Sequence, residues 1–169
     1  SLLSMLEGKM YYKNDERIEN EFFSGHPDIF SGEKVVGSDE IGDIKSSWSL
    51  DTFMPKLVEE PDKGYIAQLN CYFDLCGASG GFLAYCLISA PINILESENR
   101  SLLFKMNVIS ELSPDYIKAA NEMEKLMVFD DIDPELRCIK IPIAKDEALI
   151  EKMKQKVPVM REWLKDFHK

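Results

Sequence analysis

Residues 82–88, Phe-Leu-Ala-Tyr-Cys-Leu-Ile, are apolar at every position over the length of a strand. Side chains of a strand alternate between two faces, so an unbroken apolar run leaves neither face suited to water. The run predicts a central strand buried on both sides, and the rest of the chain must supply the layers that cover it. Tyr65, Ile66, Leu69, Tyr72, Phe73 and Leu75-Cys76 recur at helical spacing before Gly77, which suits a C-cap. Ser113-Pro114-Asp115 places a capping residue before Pro at the first helical position, opening a helix to about Val128. Residues 146–168 read as a long amphipathic helix. Leu149, Ile150, Met153, Val157, Met160, Trp163, Leu164 and Phe167 lie on one side, and Pro158 is a place for a kink.

The other strands are shorter. Residues 17–24 carry β-favouring side chains, Asp28-Ile29-Phe30 is extended, and residues 40–46 read as a third strand, so these three predict a meander. Residues 137–143 alternate as a further strand. Residues 1–12 read as the last turns of a helix, 50–58 as a short helix, and Pro91 opens another helical region. The element order indicates an α/β fold, a central mixed sheet with a three-strand meander flanked by helices, in a single domain over residues 1–169.

No apolar run approaches the ~20 residues of a membrane helix, so no membrane span is expected. The chain has 30 Asp and Glu against 20 Lys and Arg, a net charge of −10. That balance argues against coating nucleic acid by bulk charge and leaves room for a local grip. Residues 136–169 reverse it, with nine Lys and Arg against five Asp and Glu, so a basic track near Lys45 and the last helix is expected. Cysteines at 71, 76, 86 and 138 form no C-x-x-C pair, and three lie in apolar segments. They read as reduced thiols of a cytosolic protein rather than a metal site. The sequence opens at Ser1, without Met, already in a helix-like stretch, which suggests that an N-terminal segment is missing.

The chemistry concentrates between residues 25 and 48. Asp28 follows Pro27 at a strand start, and Asp43 and Lys45 alternate with Ile44. On a strand Asp43 and Lys45 share a face, and Ile44 is expected to point into the core on the other. In a meander Asp28 can come beside Asp43. Two converging carboxylates attract a divalent cation, and oxygen ligands suit Mg²⁺ or Mn²⁺. Such an ion polarises a phosphoryl oxygen, and a nearby lysine stabilises the charge that develops on phosphorus. The helix that follows carries Gln68 and Tyr72 four residues apart on one face. Gln68 can hydrogen-bond a phosphate, a water or the carboxylates, and Tyr65 stands one turn earlier.

These blocks resemble the PD-(D/E)xK nuclease superfamily, and more closely its RecB-type and phage lambda exonuclease-like branch, which includes YqaJ-type viral recombinases. The matching stretches are Gly25-His26-Pro27-Asp28-Ile29, Asp43-Ile44-Lys45-Ser46-Ser47-Trp48, and Gln68 through Tyr72 with Gly77. The apolar strand and the long C-terminal helix are similar to phage members too, less specifically.

The resemblance implies a restriction-endonuclease-like core and metal-dependent cleavage of DNA. Asp28 and Asp43 match the metal-binding acids, the Ile44 carbonyl a further ligand, Lys45 the motif lysine, and Gln68 and Tyr72 the Q-x-x-x-Y pair. Asp43 stands where many members have Glu. Relatives carry a further acid or His on an earlier helix. Glu7 sits poorly for that role, Glu21 could reach the site only from a suitable strand face, and the family acid is expected before Ser1.

The expected activity is exonucleolytic resection of double-stranded DNA for recombination. A single-strand annealing protein is the implied partner, and a ring-like homo-oligomer the implied assembly. Alternatives are an endonuclease or repair nuclease on the same fold, or a non-cleaving DNA-binding or assembly subunit. Ser46 and Ser47 are candidates for phosphate contacts, with Tyr72 and Tyr65 beside them on the DNA side. Trp48 is expected in the core, with base stacking as the alternative. His26 receives no firm role, His168 reads as solvated, and Asp130, Asp131 and Asp133 read as a solvated acidic loop.

Overall fold

The computed structural model describes residues 2–167. The chain forms two compact units. The first gathers the residues up to Lys45, Glu60–Ala84 and the chain from Lys140 onward; the second holds Ser46–Glu59 and Tyr85–Ile139. Among the described residues no helix is long and apolar enough to cross a membrane.

The first unit opens with α1 (Leu2–Glu7) and β1 (Tyr12–Lys13), then β2 (Ile18–Glu19), β3 (Ser24–Gly25), β4 (Ile29–Ser31) and β5 (Glu40–Ser47). After α3 (Lys63–Cys76) come β6 (Gly80–Leu87) and β7 (Cys138–Ala144), whose residues 85–87 and 138–139 fall in the second unit, and α6 (Glu147–Phe167). A five-stranded mixed sheet runs in the order β1-β4-β5-β6-β7. The apolar run is the buried strand it was expected to be: Phe82, Leu83 and Ala84 of β6 are fully buried.

The meander differs in one strand. Residues 17–24 do not form its first strand; β1 does, pairing Tyr12 with Phe30. Residues 18–25 fold on themselves as a separate hairpin, with Ile18 opposite Gly25. The cause is local. The Asn20 side chain accepts from the Phe22 and Phe23 amides at 2.9 Å, and the Asn20 amide donates to the Phe23 carbonyl. An asparagine turn thus interrupts β-favouring residues that composition alone would join.

Helix α3 starts at Asp62, whose carboxylate accepts from the Gly64 amide at 2.7 Å, and stops at Gly77 in left-handed conformation. Its buried Asn70 accepts from the Asp146 amide at 2.7 Å, fixing the start of α6. Farther along, Lys154 pairs with Asp74 at 2.7 Å. The basic residues of α6 are thus partly committed inside the unit, which weakens the expected basic track. Ile150 is buried, but Met160, Trp163 and Leu164, expected on the packed side, are exposed. Helix α3 ends at Cys76, close to the Lys154 contact, whereas α6 continues for more than three turns beyond Lys154.

A charged cluster closes the sheet's other end. Lys9 and Tyr11 both donate to Glu40 Oε2, at 2.9 and 2.7 Å, and Lys140 reaches Glu7 at 2.6 Å and Tyr11 at 3.1 Å. Burial pushes the Tyr11 phenol up to about 12. Burial would raise the Glu40 carboxyl too, but the bonds from Lys9 and Tyr11 and the charge of Lys140 hold it below its ordinary value. A depressed carboxyl contributes stability above its unfolded value and loses it as pH falls through the folded one. Glu40→Gln should therefore cost about 1 kcal/mol or less at neutral pH. In urea melts across pH, the difference should vanish on acidification below the ordinary carboxylate range.

The second unit contains α2 (Leu50–Phe53) with a short 3₁₀ turn after it, α4 (Ile92–Met106) and α5 (Pro114–Lys125). Phe53 and Phe129 are fully buried in it. Ser113 precedes α5 as expected, without a side-chain cap bond. Asp130, Asp131 and Asp133 are exposed, as the acidic-loop reading expects. Cys71, Cys76, Cys86 and Cys138 are not joined in disulfides.

Candidate active site

Strand register builds the site. Ile29 lies opposite Gly42, and Phe30 opposite Ile41, in the antiparallel β4–β5 pair. Continuing that register by one residue sets Asp28 opposite Asp43. Directly opposed residues share a face with Cβ atoms about 5 Å apart. The ladder ends there, and the Asp28 carboxylate takes over: its Oδ2 accepts from the Ile44 amide at 2.7 Å. Ile44 itself is only half-buried, short of the core position expected for it, because its strand has already left β4.

Asp43 is 2% exposed. Burial raises its carboxyl above the ordinary range, the Asp28 charge adds to this, and Lys45 opposes both. Lys45 Nζ stands 2.6 Å from Asp43 Oδ2. The pair is close but poorly aligned, and Oδ2 remains a buried acceptor with no directed hydrogen bond. Burial alone would lower the Lys45 ammonium, yet the adjacent Asp43 raises it, so Lys45 is a cation at neutral pH.

Helix α3 supplies the facing wall. Tyr65, Gln68 and Tyr72 fall at i, i+3 and i+7 along one side. Lys45 Nζ donates to Gln68 Oε1 at 3.3 Å and lies 4.3 Å from the centre of the Tyr65 ring. Gln68 Nε2 donates to the Tyr72 hydroxyl at 2.7 Å. Burial raises the Tyr72 phenol; the Gln68 bond opposes this, and Asp43 and Asp28 add to it. Gly25 brings the backbone against the Tyr72 ring, where a Cβ would overlap Cε1.

The structure thus gathers Asp28, Asp43, Ile44, Lys45, Gln68, Tyr72 and Tyr65. Ser46 and Ser47 continue β5 into the second unit, Ser46 exposed and Ser47 half-buried. Trp48 is a correction: it is 42% exposed, because it sits at the bend between β5 and α2 rather than within a packed strand. His26 is exposed, and His168 lies outside the described residues. Glu7 pairs with Lys140, away from these carboxylates.

One contributor carries no motif signal. Asn14 is buried, and its amide donates to the Asp28 carbonyl at 3.0 Å while Nδ2 donates to the Pro27 carbonyl at 3.0 Å. Its Oδ1 accepts from the Glu16 amide at 3.1 Å. From sequence it is simply a turn residue in Lys13-Asn14-Asp15. Here it clamps both carbonyls flanking the first acid. Asn14→Ala should cost about 1–3 kcal/mol in a urea melt, because the Pro27 carbonyl loses its buried donor.

The donor set suits a hard divalent cation. Two opposed carboxylates and a strand carbonyl offer only oxygen, and Asp43 Oδ2 lacks a directed partner. Among the described residues there is no group of three or more His, Cys, Asp or Glu that could hold a metal.

No family model and no curated protein matches the sequence. Two solved structures share the fold. A phage-related exonuclease from Haemophilus somnus 129PT superposes with a TM-score of 0.61 at 22% identity, over 93% of this chain and 61% of that one. The alkaline exonuclease LHK-Exo from Laribacter hongkongensis gives 0.60 at 12% identity, over 97% and 61%. The chain therefore spans about three-fifths of the length of either. The likeness establishes the fold, in agreement with the nuclease-like α/β core that the motifs implied.

Proposed function

We propose that this chain is a metal-dependent deoxyribonuclease acting as an exonuclease on double-stranded DNA. The observation that carries the reading is the β4–β5 register, which pairs Ile29 with Gly42 and, continued by one residue, brings Asp28 to Asp43, with Lys45 2.6 Å from Asp43. The fold shared with two exonucleases supports it. Asp28, Asp43 and the Ile44 carbonyl would hold a Mg²⁺ or Mn²⁺ ion. When bound, the ion supplies Lewis-acid polarisation of the phosphoryl oxygen and a more acidic water.

The chain's own groups do the rest. Lys45 presents a fixed positive charge to the phosphate as negative charge builds on its oxygens. Gln68 holds the Lys45 ammonium in place and orients the Tyr72 hydroxyl, whose proton is then available to a phosphate oxygen. Asn14 fixes the peptide that carries Asp28. Water adds to phosphorus as it gives up a proton, the phosphodiester P–O bond to the leaving oxygen breaks, and that oxygen takes up a proton, so that one water is consumed and its hydroxyl and proton are divided between the two products. Ser46, Ser47 and Tyr65 contact the DNA backbone beside the site. The role in recombination, a single-strand annealing partner, a homo-oligomer, a cytoplasmic location and one nuclease-like domain over residues 1–169 complete the reading.

End-labelled linear DNA and covalently closed circular DNA, each with Mg²⁺, Mn²⁺ or EDTA, test it. Release of labelled nucleotides from the linear substrate alone, abolished by EDTA, is the expected result. Nicking of the circle would make the chain an endonuclease. A second reading has its own support. With no group of three or more metal-binding side chains among the described residues, a DNA-binding subunit that does not cleave would bind linear DNA and release nothing with either metal.

A further inference from the structure

The second unit contains a cavity of about 590 Å³ that the motif residues do not explain. Its lining combines three chemistries. Trp48 offers an exposed indole face. Ile94 and Met127 add half-buried apolar wall. Ser46, Ser47, Ser49 and Thr52 add hydroxyl-bearing residues to the lining, and Glu98 stands one helical turn after Ile94 on α4. The Ser49 and Thr52 hydroxyls satisfy one another at 3.1 Å, whereas Ser46 is open to solvent.

We propose that this cavity is a nucleobase subsite, in which Trp48 stacks on a base of a single DNA strand and Glu98 accepts from its exocyclic amine. This rests on the nuclease reading for its substrate. An indole face with aliphatic wall matches the flat π-surface of a base. A carboxylate in the same cavity repels phosphate and favours an amino donor, which cytosine N4 and adenine N6 present and thymine lacks. The hydroxyl-bearing residues of the lining suit the sugar–phosphate, since hydroxyls bind its oxygens without adding charge. Strand β5, which carries Asp43 and Lys45, runs directly into Ser46 and Ser47. The exposure of Trp48, which cost it a place in the core, is what the subsite needs.

The test uses the full chain in EDTA, so that no cleavage intervenes. A Trp163→Phe background leaves Trp48 as the sole indole, since the sequence has two Trp. Single-stranded dC and dT hexamers are titrated by Trp48 emission and by anisotropy of a labelled end. Binding should quench Trp48, and Trp48→Leu should weaken the dC hexamer by about 5- to 100-fold. Glu98→Gln should erase the preference for dC over dT while retaining the quench. Wild-type affinity by anisotropy in Trp48→Leu, or a Trp48 emission in the Trp163→Phe background that neither hexamer moves, would overturn the subsite. A thermal melt of each variant confirms that it is folded. Mn²⁺-dependent cleavage by a chain that shows no quench sinks the subsite alone. Quenching without cleavage under any metal sinks the nuclease reading and leaves the subsite standing.

Discussion

Asp28→Asn and Asp43→Asn should each lower Mn²⁺-dependent release of nucleotides from linear DNA by about 10²–10³-fold or more, the scale of removing one preorganised charged partner. The chain should stay folded in both. The two carboxylates meet where the β4–β5 register is continued by one residue, and either alone leaves an incomplete oxygen set for the cation. A second readout does not depend on turnover. A ligand that binds only the folded state raises the melting temperature, so Mn²⁺ should stabilise the native chain and leave both variants unmoved. Lys45→Ala should also stop cleavage, yet retain the Mn²⁺ shift, because Lys45 opposes charge rather than holding the ion. Equal cleavage by Asp43→Asn and the native chain would end the proposal.

The same substitution has an opposite effect on stability. The Asp43 carboxyl is raised in the folded state, chiefly by burial. The folded chain therefore holds that proton more tightly than the unfolded chain does. Stability from this group is greatest below the unfolded value of 3.8 and is lost as pH rises through the folded value. Without metal, Asp43→Asn should accordingly melt higher than the native chain at neutral pH. The gap should close in acid, and a lower melting temperature for Asp43→Asn at pH 7 would contradict the burial argument.

Gly81→Val should prevent folding or cost more than about 4 kcal/mol, among the largest effects expected of one substitution. β6 lies beside β5 in the sheet, and a Cβ on Gly81 would overlap the Ile41 carbonyl oxygen and stand 2.9 Å from Phe73 Cε1. The first obstacle is backbone, which cannot rotate aside as a side chain can. Relief would require separating β6 from β5 at the strand that presents Asp43. Gly80→Ala is the control: its Cβ would lie 3.1 Å from the Ile143 carbonyl, so a smaller shift suffices. Urea melts of the two variants should differ by several kcal/mol, and similar midpoints would show that β6 can move.

The sequence by itself determined the elements whose signal is local. The apolar run could only be a covered strand, the Gly77 stop and the start before Pro114 follow from backbone stereochemistry, and the side-chain alternation of Asp43 and Lys45 follows from strand period. Those signals also carried the candidate site, because its residues sit at short spacings on two elements. Tertiary structure decided what depends on partners distant in sequence. It set Asp28 against Asp43 by register, tied Asn14 to the Pro27 and Asp28 carbonyls, and made 12–13 rather than 17–24 the outer strand of the meander. It also turned Trp48 outward and left the end of α6 with exposed apolar residues. A side chain's type states what it can do chemically; only the packed chain fixes which group it meets and whether water reaches it.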